Sequence, residues 1–134
     1  MLLLNLDHVA VAVHDLDAAI ERFAALYGVE PISRERVPEQ GVEEAMIAVG
    51  GSHVQLLAAL DPDTPVGRFL ASRGEGLHHV AYAVPDIEAA LDDLREAGAR
   101  LVDEAPRTGG GGRRIAFVHP GTLGGTLTEL VEIP

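Results

Sequence analysis

The chain has no cysteine among its 134 residues, and this absence excludes several kinds of chemistry. Disulfides, thiolate nucleophiles and zinc–thiolate sites all require the missing side chain. Any bound metal must therefore use histidine, carboxylate or amide ligands.

Long apolar runs are also absent, although 47% of the residues are hydrophobic. No run approaches the roughly 20 residues that a membrane-spanning helix needs. The opening Met1-Leu2-Leu3-Leu4 is too short for the apolar region of a signal peptide, and no basic residue precedes it. We therefore expect a cytoplasmic protein that has no membrane partner.

Positive charge is scarce, since 10 lysines and arginines face 21 aspartates and glutamates, for a formal net charge of −11. Nucleic acid and anionic membranes both attract clustered positive charge, so neither is an expected partner. Arg34 with Arg36, and Arg113 with Arg114, form two small basic clusters. Such clusters could meet a phosphorylated small molecule, but they are more often solvated loop charges.

The chain does contain an internal repeat, because residues 77–84 are a second copy of residues 6–13. A shift of 71 positions carries His8 onto His79. Near the end of each half, a pair of glycines precedes a strand-like run, and aligning these pairs places Gln55 opposite Glu129. Each half therefore offers one histidine and one polar strand residue at equivalent places.

The length suits one domain, so we predict a single domain over residues 1–134, built of repeats at about 6–60 and 77–132. Alternating strand patterns, helical stripes and capping residues predict the order βαβββ in each repeat. Asp15 and Asp86 are the predicted helix caps. The predicted fold class is α+β, with the two βαβββ modules forming one cavity.

The first predicted strand has two different faces. His8, Ala10 and Ala12 share one face, and Val9, Val11 and Val13 share the other. The valine face is suited to packing against a helix. The alanines either leave space above a shallow floor or lie under a close-packed neighbour.

Four residues are candidates for a shared site. An amide or a carboxylate in an apolar strand is costly to bury unless a partner satisfies it, and Gln55 and Glu129 are in this position. If the two modules face one cavity, these residues converge with His8 and His79. Nitrogen and oxygen ligands without thiolate suit Co²⁺, Mn²⁺, Ni²⁺, Zn²⁺ or Fe²⁺.

Two neighbouring glutamates lie on the predicted strand at residues 42–49. Alternation places Glu44 on one face and Glu43 on the other, so one of them must point toward the less polar side. Usually such a residue lies at an open strand end, where its carboxylate is solvated. The pattern alone does not choose between the two.

Several motifs resemble the methylmalonyl-CoA epimerase family of the vicinal oxygen chelate superfamily, over nearly the whole chain. They are Asp7-His8-Val9-Ala10, Pro38-Glu39-Gln40-Gly41-Val42, Gly76-Leu77-His78-His79-Val80-Ala81, Phe117-Val118-His119-Pro120 and Gly124-Gly125-Thr126-Leu127-Thr128-Glu129-Leu130. The two-histidine strands are shared with glyoxalase I. The Pro-Glu-Gln-Gly, Gly-Leu-His-His and Phe-Val-His-Pro runs are more particular to the epimerases.

The resemblance implies an isomerase that interconverts (2R)- and (2S)-methylmalonyl-CoA by removing and returning the α-proton, through an enolate that a divalent cation stabilises. His8, Gln55, His79 and Glu129 would be the metal ligands, with Co²⁺ the first expectation among the five ions. Inversion requires a base on each face, and the resemblance assigns Glu44 and Glu129, with Glu43 as the alternative to Glu44. It also implies an acyl-CoA thioester ligand and a homodimer.

Alternative functions share this fold. Glyoxalase I uses related metal chemistry on a glutathione hemithioacetal. Many bacterial-type glyoxalases resemble this site but have glutamate at the position of Gln55, so Gln55 weighs mildly against this alternative. An extradiol dioxygenase would leave Gln55 without a role. A metal-free small-molecule binding or resistance protein would lack the ligand set, which this chain keeps.

Overall fold

The computed structural model describes residues 1–134, with eight strands and three helices. In chain order they are β1 (Asn5–Ala12), α1 (Leu16–Tyr27), β2 (Ser33–Val37), β3 (Val42–Val49), β4 (Ser52–Ala59), α2 (Pro65–Arg73), β5 (Gly76–Val84), α3 (Ile87–Glu96), β6 (Arg107–Thr108), β7 (Arg114–Val118) and β8 (Thr128–Glu132). The order βαβββ occurs twice, with α2 between the copies, so the predicted α+β arrangement is confirmed. None of the three helices combines the length and apolar character that crossing a bilayer requires.

The chain forms two compact units, whose boundaries fall within strands β1 and β5. The continuous unit is Val9–His78, and the split unit combines Met1–His8 with His79–Pro134. The two units resemble the predicted repeats, except that the beginning of β1 belongs to the split unit. A single domain over residues 1–134 stays a prediction.

The continuous unit is built on antiparallel pairs of β2 with β3 and of β3 with β4. The valine face of β1 packs with α1, where Val11 and Val13 share an apolar cluster with Phe23. This confirms the helix-facing role of the valines. On the other face, Ala10 and Ala12 are completely buried in an apolar cluster that includes side chains of α2. The alanines therefore lie under close-packed neighbours.

The split unit has β8 between β5, which is parallel to it, and β7, which is antiparallel. Ile87 and Leu91 of α3 pack with Ala116 and Leu130 of these strands. The second strand of this half is reduced to the two residues of β6, which pair with the start of β7. A parallel β5 and β8 places Ala81 opposite Glu129, and this register brings Glu129 beside the histidine strand.

Helices α1 and α3 begin directly after the two residues that the sequence predicts as their caps. The side chains of Asp15 and Asp86 accept hydrogen bonds from the backbone N–H groups of Ala18 and Ala89, at 3.1 and 3.0 Å. Each bond satisfies a donor in the first turn that has no partner within its helix. Both predicted caps are therefore confirmed.

The Pro-Glu-Gln-Gly motif forms a short 3₁₀ turn that ends at Gly41 and leads into β3. Gly41 has a φ of +70°, and a Cβ atom there would lie 2.7 Å from Cγ2 of Thr64. Thr64 cannot easily rotate away, because its hydroxyl accepts from the N–H of Gly67 and donates to the carbonyl of Asp61. Glycine is thus required both for its conformation and for its size.

We predict that Gly41→Ala lowers the free energy of unfolding by about 2 to 4 kcal/mol, because left-handed strain adds to overpacking. Gly28→Ala is the matched control, since Gly28 has a φ of +67° and no neighbour within 4 Å of an added Cβ. The control should lose only about 1 kcal/mol in denaturant unfolding. Equal losses in the two variants would contradict the steric argument. Thr64→Ser, which keeps the hydroxyl, should recover part of the Gly41→Ala loss.

Candidate metal centre

Two buried histidines on strands β1 and β5 form the centre of the candidate site. His8 and His79 lie in the split unit, and their Nε2 atoms are 3.2 Å apart. Their rings meet edge to face, with centroids 5.4 Å apart. The repeat therefore does bring its two histidines together.

Glu129 of β8 completes a cluster of three side chains. Its Oε1 atom lies 3.1 Å from Nε2 of His8 and 3.6 Å from Nε2 of His79. All three side chains are buried, and their ligand atoms lie within 4.8 Å of one another. The structure thus collects three of the four predicted metal ligands within one unit.

The electrostatics of this cluster are those of a buried ion pair. Burial by itself lowers the pKa of His8, but hydrogen bonds to Asp7 and Glu129 outweigh burial and raise that pKa to about 9. Burial by itself raises the pKa of Glu129, but hydrogen bonds from His79 and His8 outweigh burial and lower that pKa to about 2. In the metal-free protein at neutral pH, His8 is therefore an imidazolium and Glu129 a carboxylate.

Asp7 contacts His8, and sequence reasoning gave it no role. Its Oδ2 lies 2.7 Å from Nδ1 of His8, and its Oδ1 accepts a hydrogen bond from Nη1 of Arg113 at 3.3 Å. Neighbouring side chains on a strand normally point to opposite faces, so alternation gave no signal for this contact. The only available signal was the Asp-His pair itself.

The fourth predicted ligand, Gln55, and the predicted base, Glu44, lie together in the continuous unit. The Nε2 of Gln55 donates to Oε2 of Glu44 at 2.9 Å, and both side chains are buried. The carbonyl oxygen of Gln55 is buried without a hydrogen-bond partner. The NH₂ group of the amide faces Glu44, so the carbonyl oxygen is the atom of Gln55 that is left without a partner.

The two glutamates of β3 have different surroundings. Glu44 is buried, whereas Glu43 is half-buried and pairs with Nε of Arg34 at 3.1 Å. Glu44 is therefore the residue on the less polar side, as alternation required of one of them. Its burial favours Glu44 over Glu43 as a candidate base.

Three of the four arginines that the sequence offered for a phosphorylated ligand, namely Arg34, Arg113 and Arg114, form ion pairs within their own units. Arg34 also pairs with Asp17, and Arg114 pairs with Glu88 and Glu132. Arg113 pairs with Asp7 next to the glycine-rich loop, which forms a short turn between β6 and β7. Contacts with a CoA group stay a prediction.

His119, in the Phe-Val-His-Pro motif, has a local structural role. Its Nδ1 accepts a hydrogen bond from the N–H of Gly121 at 2.9 Å and caps the short turn at Pro120–Thr122. His78, next to the ligand His79, packs edge to face against Phe69. Neither histidine belongs to the three-residue cluster.

The chain is similar to known proteins both in sequence and in structure. The pattern of the Glyoxalase/Bleomycin resistance protein/Dioxygenase superfamily matches residues 7–117, so the chain belongs to that superfamily. This confirms the fold class that the resemblance implied, the vicinal oxygen chelate fold.

Within the superfamily, the chain is similar to epimerases of acyl-CoA thioesters. The ethylmalonyl-CoA/methylmalonyl-CoA epimerase of Cereibacter sphaeroides is 37% identical over 96% of this chain and 98% of the relative. A solved variant of the Streptomyces coelicolor methylmalonyl-CoA epimerase, in complex with 2-nitronate-propionyl-CoA, is 42% identical, with a TM-score of 0.94 over 99% of this chain and 100% of that one. A lactoylglutathione lyase of Arabidopsis thaliana is only 27% identical, over 83% of this chain and 38% of that protein.

The donor set fits a divalent cation. Two atoms bonded to one ion at about 2.1 Å lie about 3.0 Å apart at a right angle and about 3.4 Å apart at the tetrahedral angle. The separations in the structure, 3.1, 3.2 and 3.6 Å, are close to these values. The carbonyl oxygen of Gln55 has no hydrogen-bond partner and is a donor type that suits such ions, but its place as the fourth ligand stays a prediction.

We predict a characteristic pH dependence of stability for the metal-free protein. The raised pKa of His8 contributes stability that is complete below pH 6.5 and is lost as the pH rises through 9. The lowered pKa of Glu129 contributes stability above pH 4.5 that is lost as the pH falls through 2. Denaturant unfolding of chelator-treated protein should therefore give the largest contribution between pH 4.5 and 6.5, on the order of 3 kcal/mol.

Two controls accompany this measurement. Glu129→Gln removes the ion pair, so the acid-side loss should disappear and the alkaline loss should shrink. Saturating Co²⁺ should abolish the alkaline loss, because a metal-bound imidazole has already released its proton. An alkaline loss of the same size with and without Co²⁺ would contradict metal binding at His8.

Proposed function

We propose that this chain epimerises methylmalonyl-CoA by removing the α-proton from one face and returning a proton to the other. The observation that carries this proposal is the buried cluster of His8, His79 and Glu129, in a chain that matches epimerases along its whole length. The proposed ligand class is an acyl-CoA thioester.

The proposed metal ligands are His8, Gln55, His79 and Glu129. Both imidazoles present Nε2, Glu129 presents Oε1, and the hydrogen bond from Gln55 to Glu44 leaves the amide carbonyl oxygen as the fourth donor. A divalent cation, with Co²⁺ the first candidate and Mn²⁺, Ni²⁺, Zn²⁺ or Fe²⁺ as alternatives, would make the α-proton more acidic by withdrawing charge from the substrate oxygens.

Glu44 and Glu129 are the proposed bases. Glu44 is buried, so its carboxyl group is largely shielded from solvent. Glu129 has a lowered pKa in the metal-free cluster because two imidazoles hydrogen-bond to its carboxylate. It therefore accepts a proton readily only when His8 and His79 no longer donate to it.

The ligand in the Streptomyces coelicolor structure is consistent with this chemistry. That protein is in complex with 2-nitronate-propionyl-CoA. A nitronate is planar at carbon and carries its charge on oxygen, as an enolate does. Sites that bind such groups stabilise the charge that develops during α-proton removal.

Assembly and location are also proposals. The homodimer is proposed from the family resemblance, and the cytoplasmic location from the lack of long apolar runs in the sequence. The acidic charge of the chain disfavours nucleic acid and anionic membranes as partners. No specific observation favours glyoxalase I, to which the similarity is distant.

The proposed function predicts exchange of the α-hydrogen with solvent. Protein loaded with Co²⁺ should incorporate deuterium at the α-carbon of (2R)- or (2S)-methylmalonyl-CoA in deuterated water while it interconverts the epimers. Removal of the metal should abolish both activities, and Co²⁺ should restore them. Conversion of methylglyoxal with glutathione, without exchange of the thioester, would replace this proposal by glyoxalase I. Ethylmalonyl-CoA is a useful second substrate, since the Cereibacter sphaeroides relative is named for both thioesters.

A two-base mechanism predicts a specific failure when Glu44 is neutralised. Glu44→Gln should slow epimerisation by about 10²- to 10⁴-fold, while Glu129 still exchanges the α-hydrogen of one epimer only. Glu43→Gln is the matched control, because it neutralises the adjacent half-buried glutamate that pairs with Arg34. If Glu43→Gln loses activity and Glu44→Gln keeps it, the assignment of the base must move to Glu43.

A further inference from the structure

Asp7 is a buried carboxylate that the proposed mechanism does not use. Its Oδ2 lies 2.7 Å from Nδ1 of His8, the distance of a strong, charge-assisted hydrogen bond. Its side chain is only 7% exposed, so water cannot easily replace this partner. Its second oxygen accepts from the half-exposed Arg113, 106 positions away in the sequence.

The contact determines how His8 presents its ring. An ionised carboxylate has no proton to donate, so Nδ1 of His8 must carry the proton in this bond. In a neutral ring, Nε2 then keeps its lone pair. Nε2 is the atom that lies 3.1 Å from Glu129 and 3.2 Å from Nε2 of His79. A carboxylate behind a ligating histidine commonly fixes the ring orientation and tautomer in this way.

The internal repeat shows that this feature is particular to the first copy. The shift that carries His8 onto His79 carries Asp7 onto His78, so an imidazole replaces the carboxylate in the second copy. His78 packs edge to face against Phe69, with ring centroids 4.9 Å apart. His79 meets the ring of Phe117 edge to face, at 5.1 Å. The two ligand histidines are therefore supported by different surroundings.

We infer that Asp7 is a positioning residue that fixes His8 in the Nδ1–H tautomer, with Nε2 directed at the metal position, and that Arg113 holds Asp7 in this role. The inference rests on the proposed function, because it requires His8 to bind the metal. It assigns no proton transfer to Asp7.

The test measures metal binding and ring geometry. Asp7→Ala should weaken Co²⁺ binding by about 10- to 100-fold in competition with a chromophoric chelator, and it should alter the visible spectrum of bound Co²⁺. In the Zn²⁺-loaded protein, nitrogen NMR should show a His8 Nδ1–H that is protected from exchange, and this protection should be lost in Asp7→Ala. Asp7→Asn keeps the size and an acceptor oxygen, so its loss of affinity should be smaller.

Glu132→Ala is the matched control for general destabilisation. Glu132 is a half-buried carboxylate of the same unit that accepts from the N–H of Ile87 and pairs with Arg114. This variant should lose stability and keep the Co²⁺ affinity and the His8 signal. If Asp7→Ala does not fold, Asp7→Asn provides the measurement, with a several-fold loss of affinity expected.

The outcomes separate the two proposals. If the wild-type protein binds Co²⁺ and His8→Ala abolishes binding, while both Asp7 variants bind as tightly as the wild type, the inference about Asp7 is wrong and the metal site stands. If His8→Ala binds Co²⁺ as the wild type does, the proposed ligand set itself is wrong, and the role of Asp7 is lost with it.

Discussion

The interaction on which the site depends is the burial of one carboxylate against two imidazoles, where little water is available to solvate charge. Glu129 could not stay ionised there alone, because desolvation would raise its pKa. His8 and His79 reverse that tendency, and Asp7 adds a second carboxylate behind His8. The metal-free cluster is thus held together by a proton on His8. A divalent cation would also offset the negative charge of Glu129, with two positive charges where the proton supplies one. The cluster that a proton on His8 stabilises is therefore one that could hold a metal ion.

Much of the fold follows from local patterns that the repeat makes visible twice. The Asp15 and Asp86 caps depend only on nearby backbone groups, so the sequence predicts them well. The position of Glu129 could also be predicted, because Gln55 and Glu129 lie at the same spacing after the glycine pairs of their two halves. Strand β6 was harder, since two residues of pairing leave almost no periodic signal.

The features that sequence reasoning missed or left open depend on neighbours that are distant along the chain. Alternation could not tell whether Glu43 or Glu44 is buried, because that depends on which face of β3 is covered. It also could not tell what lies above Ala10, since the covering side chains include residues of α2, more than 50 positions away. Asp7 and His8 are neighbours on one strand, where side chains normally point to opposite faces, yet their side chains are in contact. Local periodicity contains no information on any of these points.

The buried amide of Gln55 has a consequence for the charge of the proposed site. A glutamine has nearly the same shape as a glutamate, yet it adds a carbonyl oxygen without a negative charge. Methylmalonyl thioesters carry a carboxylate of their own, and two like charges about 4 Å apart repel by several kcal/mol where solvent screening is weak. With Gln55 neutral, Glu44 and Glu129 are the only anionic members of the proposed set. Because an amide adds no negative charge, Gln55 suits a substrate that is itself an anion. A carboxylate at this position would suit a neutral substrate.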